Sequence, residues 1–372
     1  MTLLAWGERQ VKINHEYKES SIFNGRKLKV EVFGASHSSE IGVKVNGYNG
    51  EKVCLRKLQK FVDRRKAKKT AYSTKRLEQD KIIVESGRVN GCLKGEFKAV
   101  IKNTNQNSKD YSNLIVTPRP SHADFVAWQK YGDKFDYRGG GKFSGRLTAP
   151  MCIAGGLCKQ ILEKKGITIN AYISQIATVK GASYKDTDIE SIDLGALDSE
   201  FPLLDESKKE QMLLEIESAR NDLDSVGGVI ECVIKGVPIG AGEYMFDSLE
   251  SVISNLAFAV PAVKGIEFGS GFDLASMKGS TANDSFYYDG KVVKTKTNNN
   301  GGINGGMANG MPITFRVVIK PTPSIAKEQD TINMKTKENT KLKIEGRHDA
   351  CIVPRAVPVI EAISALAIYD SL

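Results

Sequence analysis

The 372-residue sequence predicts a globular α+β fold. Hydrophobic residues make up 41% of the chain and charged residues 26%, which allows one large core or two medium ones. Stretches with helical periodicity and strand-like runs both occur, but they follow one another without a clean β-α-β rhythm. We therefore expect an α+β chain rather than a doubly wound sheet.

The strands and the first helix are predicted from local pattern. Four runs read as strands: residues 28–33, 41–45, 229–234 and 313–319. Leu58, Phe61 and Val62 share one face of a short helix. That helix ends in the cationic residues 64–66, which suit the negative end of a helix dipole.

Three further helices are predicted towards the C-terminus. Residues 151–162 have an apolar face, and Gly166 follows as a probable C-cap. Asp247 and Glu250 resemble a capping box at the start of an apolar stripe, which consists of Leu249, Ile253, Leu256 and Ala257. Pro358 is placed in the first turn of a largely buried helix over residues 359–372.

Composition and cysteine pattern exclude several classes of protein. No run approaches the roughly 20 apolar residues of a membrane helix, and charged residues interrupt the first 18 positions, so we expect a soluble, unexported, cytoplasmic protein. The cysteines are scattered, with no zinc-ligand spacing, and we expect reduced structural thiols and no metal. These are Cys54, Cys92, Cys152, Cys158, Cys232 and Cys351.

A net charge of +9 favours an anionic partner, which could be nucleic acid, a phosphorylated metabolite or a membrane surface. The densest basic run covers residues 64–69, with Lys75 and Arg76 beyond it. It could bind nucleic acid through phosphates, or it could be a solvated basic face. Only Tyr72 is interleaved and no nucleic-acid module is present, so nucleic acid is the weaker interpretation.

The four histidines can be weighed one by one. His15 lies in a polar stretch and is expected to have no catalytic role, while His37 follows a strand among small residues and by itself is more often structural. His122 lies beside Arg119 and Asp124, which could orient or charge its imidazole, and His348 stands in a similar Arg/His/Asp cluster. The alternative for both clusters is a surface ion pair, which contributes at most about 1 kcal/mol.

A glycine-rich segment, residues 137–146 (YRGGGKFSGR), precedes a predicted helix. Its backbone N–H groups and three cations could cradle a phosphate, although it matches neither the dinucleotide fingerprint nor the P-loop. From this segment alone, a flexible turn and an anion site are equally good interpretations.

Together these segments resemble the chorismate synthase family, in order from about Phe23 to the C-terminus. Residues 33–38 resemble the family's F-G-E-S-H-G, and residues 63–66 its D-R-R-R. Residues 103–112 (NTNQNSKDYS) resemble N-T-D-Q-R-S-K-D-Y-S, and residues 119–124 resemble R-P-G-H-A-D. Matches continue through DYRGGG, DSVGG, AVKG, NGGI, KPT, GRHD and RAVP.

This resemblance implies the family's fold and reaction. The fold is a layered β-α-β sandwich, which we take as a single domain over residues 23–372 after an N-terminal extension, residues 1–22. The reaction is a trans-1,4-elimination of phosphate from 5-enolpyruvylshikimate 3-phosphate, which gives chorismate with reduced FMN and no net oxidation. The resemblance also implies a homotetramer, and leaves open whether NADPH or an external reductase supplies the electrons.

The family's functional positions carry over by motif. His37 would act near the reduced flavin, His122 would protonate the departing phosphate, and Asp349 would assist proton removal through the flavin N5 region. The substrate-binding positions are Arg65, Arg119, Ser144, Arg146 and Arg347. The FMN positions are Lys142, Phe143, Ser144, Pro261, Ala262, Gly305, Lys320, Pro321, Thr322, Pro323, Ser324 and Arg347.

Some motif positions depart from the family pattern while the predicted acid, base and core arginines are kept. The altered positions are Ala35, Ser38, Ala67, Lys68, Ala71, Ser121, Lys142, Phe143, Pro261 and Ala350. Losing a bidentate arginine, as at Ala71, costs on the order of 1.5–3 kcal/mol of anion binding. The alternative function is therefore a non-catalytic or altered-specificity homologue that binds flavin or a phosphorylated acid.

Overall fold

The computed structural model describes residues 18–67, 78–104, 114, 116–189, 197, 199–344 and 349–372. The strands in these ranges are β1 Ser20–Asn24, β2 Lys29–Gly34, β3 Glu40–Asn46, β4 Ile83–Val89, β5 Cys92–Lys102, β6 Thr168–Ile176, β7 Val179–Lys180, β8 Gly228–Lys235, β9 Val263–Phe268, β10 Phe286–Asp289, β11 Val292–Thr295, β12 Ile303–Asn304, β13 Met307–Ala308, β14 Ile313–Ile319, β15 Gln329–Asn333 and β16 Glu338–Leu342. The helices are α1 Leu55–Asp63, α2 Asp124–Tyr131, α3 Thr148–Glu163, α4 Lys209–Asn221, α5 Leu249–Phe258, α6 Gly279–Ala282 and α7 Val353–Ser371.

Two five-stranded antiparallel sheets enclose a layer of helices. The first sheet has the order β1-β2-β3-β5-β4, and the second has the order β7-β6-β8-β14-β9. Helix α3 packs on the first sheet, α7 packs on β6 and β8 of the second, and α3 and α7 pack on each other. One continuous hydrophobic core runs through both sheets and these helices. This arrangement confirms the predicted α+β, β-α-β layered fold.

The four predicted strands are confirmed as β2, β3, β8 and β14, each within one residue of its predicted ends. Gly166 ends α3 as predicted: its φ is +79°, and the N–H of Ile167 reaches back to the Leu162 carbonyl at 3.0 Å. The predicted stripe of α5 is also correct, since Leu249, Ile253, Leu256 and Ala257 are buried.

Two helix starts were predicted wrongly. The N-cap of α5 is Ser248, whose hydroxyl accepts from the Ser251 N–H at 3.1 Å, while Asp247 lies in a preceding 3-10 turn. Helix α7 begins at Val353, so Pro354 occupies its first turn and Pro358 lies inside the helix. Burial of nearly every residue of α7 outweighs the hydrogen bond that Pro358 cannot make.

The N-terminal boundary stays a prediction, although β1 crosses the proposed division at residue 22. The cysteines all lie in the described ranges and are free thiols, and burial raises the pKa of Cys152, Cys232 and Cys351 to about 12. None of the helices in these ranges is both long and apolar enough to cross a membrane.

Candidate active site

A pocket of about 600 Å³ opens beside the start of α7 and the end of α1. Its size falls in the range of small-molecule sites. The predicted site residues on its wall are Arg65, Arg119, His122, Lys142, Phe143, Ser144, Arg146, Pro261, Ala262, Lys320, Thr322, Pro323, Ser324 and Asp349. Fourteen of the eighteen predicted site residues, from segments scattered over nearly 300 positions, thus lie on the wall of one pocket.

The remaining predicted residues lie elsewhere. His37 is buried behind the glycine-rich loop, and Pro321 and Gly305 are not on the pocket wall. Gly305 lies in the exposed turn between β12 and β13. Arg347 is outside the described residues, as are His348, His15 and Ala71.

Arg119, Asp124 and His122 form one buried cluster at the pocket wall. Arg119 donates from Nε and Nη2 to the two carboxylate oxygens of Asp124, at 2.7 and 2.8 Å. His122 Nδ1 lies 2.6 Å from Asp124 Oδ1, and Arg119 Nη1 donates to Ser324 Oγ at 3.1 Å. Asp124 therefore fixes both a cation and an imidazole.

This cluster determines the protonation of His122. Although burial alone would raise the pKa of Asp124, its hydrogen bonds with Arg119 and His122 hold it far below the ordinary value. An ionised Asp124 can only accept, so His122 Nδ1 carries hydrogen and Nε2 is the atom that exchanges a proton. Burial lowers the pKa of His122, Arg119 and Lys320 lower it further, and Asp124 opposes the shift.

The glycine-rich loop lies between the two predicted catalytic histidines. A Cβ on Gly139 would lie 2.6 Å from His37 Cε1, and one on Gly140 would lie 3.1 Å from His122 Nε2. Both glycines have positive φ, of +58° and +88°. Ser36 N–H donates to the Gly141 carbonyl at 3.0 Å, which ties the loop to the His37 segment. Glycine is needed here for close packing rather than for flexibility.

Arg65 and Arg146 share the carboxylate of Asp80. Arg65 Nη2 donates to Asp80 Oδ2 at 2.7 Å, and Arg146 Nη1 donates to the other oxygen. Arg146 Nε also donates to Asn103 Oδ1 at 3.0 Å, and Arg65 Nη1 to Thr148 Oγ1 at 3.3 Å. Burial would raise the pKa of Asp80, but the two arginines outweigh it and hold the pKa below its ordinary value.

Asp349 is joined to the same group of side chains through Arg355. Arg355 Nη1 lies 2.5 Å from Asp349 Oδ2, and its Nε donates to the Arg65 carbonyl at 3.1 Å. Both Asp349 and Arg355 line the pocket. Asp349, predicted to assist proton removal, and Arg65, a predicted substrate-binding residue, are therefore both held by the Arg355 side chain in the first turn of α7.

The segment after β14 contributes a cation and hydroxyls that suit a flavin phosphate. Burial lowers the pKa of Lys320, and nearby Lys264 lowers it further, so a bound phosphate would relieve a repulsion between two cations. The hydroxyls of Thr322 and Ser324 lie on the same wall. The apolar lining, which a planar ring system would contact, includes Phe258, Val260, Pro261, Ala262, Pro323 and Ile352. These residues fit FMN.

Altered family positions also line the pocket. Phe143 is 40% exposed, and its ring centroid lies 6.1 Å from that of Phe135. Ser121 has a φ of +56°, a conformation that favours the glycine present in the family motif. Its carbonyl accepts from Lys320 Nζ at 2.7 Å.

The basic run at the end of α1 is not a solvated face in its described part. Arg64 donates twice to buried Glu361, at 2.8 and 2.9 Å, and Arg65 is buried against Asp80. Lys66 pairs with Asp63 at 2.6 Å. The solvated-face interpretation was therefore wrong for Arg64 and Arg65, which are also not displayed for nucleic acid, while Lys66 and Asp63 form a partly exposed ion pair. Residues 68–77 lie outside the described ranges.

Sequence reasoning missed Asp80, Asn103 and Arg355 as site residues. Asn103 is the first residue of one recognised motif, and Arg355 belongs to another. Both could therefore have been proposed as site residues from those motifs. Asp80 stands in a polar stretch with no periodicity, and nothing in that stretch indicates burial. Within the described ranges, no cluster of three or more His, Cys, Asp or Glu side chains is placed to hold a metal ion.

Comparisons with known proteins agree with this geometry. A family model described as chorismate synthase matches residues 28–372. A curated chorismate synthase from Thermococcus kodakarensis is 44% identical over 352 residues, covering 94% of this chain and 96% of that protein. One from Dehalococcoides mccartyi is 40% identical over 348 residues, covering 93% and 95%. A solved structure described as "Crystal Structure of Chorismate Synthase" has the same fold, with a TM-score of 0.71 at 24% identity over 94% of this chain and 92% of that one.

Proposed function

Since the chain belongs to the chorismate synthase family, we propose that its pocket converts 5-enolpyruvylshikimate 3-phosphate to chorismate by trans-1,4-elimination of phosphate. The observation that supports this most is the meeting of His122, Asp349 and three buried arginines at one pocket. The arginines come from three separate segments, and the proposed substrate carries two carboxylates and a phosphate that they could bind. No described residue favours the non-catalytic alternative.

The arginines bind and orient the substrate. Arg65, Arg119 and Arg146 are fixed by carboxylates on one side, which leaves the remaining guanidinium N–H groups for the ligand. Arg146 Nη2 is buried and has no hydrogen-bond partner among the described residues. A buried donor without a partner costs on the order of 1–3 kcal/mol, which an oxyanion of the substrate would recover.

His122 is the proposed acid for the departing phosphate. As the C–O bond to phosphate breaks, the Nε2 proton of the imidazolium neutralises the developing charge, and Asp124 stabilises the charged ring through Nδ1. Asp349, paired with Arg355, is the proposed residue that assists loss of the ring proton. The electron pair of the broken C–H bond forms a new ring double bond, the existing ring double bond shifts by one position, and the C–O electron pair leaves with the phosphate, so the elimination balances without an oxidant.

Reduced FMN is the proposed cofactor, and when bound it lends and recovers electron density during the elimination. Lys320, Thr322 and Ser324 are the proposed contacts for its phosphate or ribityl chain, and Lys142 and Phe143 lie at the same wall. His37, Gly305 and Arg347 keep their proposed roles on the strength of the family motifs.

Assembly and location are proposed from the same family resemblance: a homotetramer in the cytoplasm. Support for assembly comes from three consecutive exposed side chains, Tyr244, Met245 and Phe246, the last of which is 91% exposed. Apolar patches of this kind are typical of protein–protein contacts.

An anaerobic assay with dithionite-reduced FMN tests the activity. The protein is expected to release phosphate and form chorismate from 5-enolpyruvylshikimate 3-phosphate, and His122→Ala is expected to lower kcat about 10²–10⁴-fold. His15→Ala is the matched control and should leave kcat unchanged. Absence of turnover at saturating substrate would refute the proposed function.

A further inference from the structure

The carboxylate of Asp80 lies between the two arginines at the base of the pocket. Its side chain is only 1% exposed, and those of Arg65 and Arg146 are 4% and 7% exposed. Each oxygen accepts from a different guanidinium. The two guanidinium groups and the carboxylate between them thus carry a net positive charge at the pocket wall.

Without Asp80 the two guanidinium groups would repel each other. Burial lowers the pKa of Arg146, the charge of Asp80 opposes that shift, and the charge of Arg65 lowers the pKa further. Removing the carboxylate therefore both frees the arginines to turn away and raises the cost of keeping them close together. Their spacing depends on the anion between them.

The backbone around Asp80 is built to aim this carboxylate. Asp80 has a φ of +48°, which aspartate tolerates better than most residues. Gln59, on α1, donates to the Asp80 carbonyl and accepts from the Ile82 N–H, both at 3.0 Å. Because Arg65 follows two residues after the last residue of α1, the same helix positions both the arginine and the carboxylate that orients it.

The arrangement leaves unsatisfied donors for a ligand. Arg146 Nη2 and Arg65 Nε are buried without hydrogen-bond partners among the described residues, and both arginines line the pocket. A single oxyanion would supply the missing acceptors and match the excess positive charge.

We propose that Asp80 is a positioning residue that holds Arg65 and Arg146 together as one binding fork for an oxyanion of the substrate. The proposal rests on the proposed function for the identity of the ligand. Asp80 itself acts only through the two arginines.

The test measures binding of 5-enolpyruvylshikimate 3-phosphate in the presence of oxidised FMN, so that no turnover occurs. Asp80→Asn is expected to raise the substrate Kd about 10- to 100-fold, the factor typical of a lost charged hydrogen bond. Asp80→Glu should restore most of the affinity. Asp370→Asn is the matched control, because Asp370 is equally buried, at 2%, and binds only backbone N–H groups of residues 26–28.

Two further measurements distinguish positioning from a general structural role. In an Arg146→Gln background, Asp80→Asn should change the Kd less than twofold, because the fork is already broken. Inorganic phosphate serves as a second probe. If it loses affinity by the same factor, the fork takes the phosphate end; if only the substrate loses affinity, the fork takes a carboxylate.

The proposal is overturned if folded Asp80→Asn binds substrate within twofold of the unaltered protein, or if its effect is the same with and without Arg146. It is also overturned if Asp370→Asn weakens binding equally. Failure of the proposed function is recognised separately, because the unaltered protein would then neither bind nor turn over this substrate.

Discussion

Among single residues, His122 is one whose acid–base behaviour is set by its neighbour Asp124. Asp124 fixes hydrogen on Nδ1, so Nε2 is a donor only when the ring is charged. Burial acts against that charge by lowering the pKa. A dianionic phosphate beside Nε2 would favour the charged ring again. The protonated form of His122 is therefore most populated when the substrate is present.

The pH dependence of turnover follows from this balance. The imidazolium is the active form, so kcat/KM should fall as pH rises through the free-enzyme pKa, which lies below the ordinary 6.5. Asp124→Asn removes a group that raises this pKa, so the fall should move to still lower pH. Ser324→Ala, which alters only the Arg119 side of the cluster, should leave the midpoint in place. A midpoint unaffected by Asp124→Asn would contradict this role.

Ser121 has a left-handed backbone conformation, which is unfavourable for a residue that carries a Cβ atom. Its left-handed conformation costs about 1–2 kcal/mol in the folded state, and glycine would avoid this cost. Glycine would also make the unfolded chain more flexible, which stabilises the unfolded state by about 0.4–1 kcal/mol. Ser121→Gly is therefore expected to raise the free energy of unfolding by roughly 0.5 kcal/mol, measured by urea denaturation. Ser207→Gly, in a 3-10 turn without positive φ, should lower it instead. A loss of stability in both variants would refute the strain argument.

Among the described elements, α3 and α7 make the most extensive contact between helices. A Cβ on Gly155 would lie 2.3 Å from the Ala362 carbonyl oxygen, and one on Gly156, towards α1, would lie 2.7 Å from the Phe61 ring. Backbone therefore packs on backbone in the middle layer. The same contact sets where the first turns of α7, with Arg355, meet the pocket.

Gly155→Ala should therefore separate the two helices. We expect a loss of about 1–3 kcal/mol in the free energy of unfolding, the usual cost of overpacking a core, measured by chemical denaturation. Gly279→Ala is the control, because a Cβ there meets nothing within 4 Å. Equal effects of the two substitutions would show that the helices have room to accommodate the methyl group.

At the scale of the whole molecule, local pattern predicted four of the strands and the approximate positions of four helices, and motif order predicted about half of the residues that line the pocket. The strands β2, β3, β8 and β14 were found because β-branched runs mark them. The role of Asp80 was not predictable, because it depends on Arg65 and Arg146 coming together from separate segments. The start of α7 was misplaced because burial between two sheets overrides the local preference of Pro358.

The position of α7 has a consequence for biosynthesis. Helix α7 packs in the layer between the two sheets, yet it follows all of their strands in the chain. All strands of both sheets are therefore synthesised before α7, while the apolar faces that α7 covers are still exposed to solvent. The core closes only after residues 353–371 have been made, so docking of α7 is a late step that follows synthesis of both sheets.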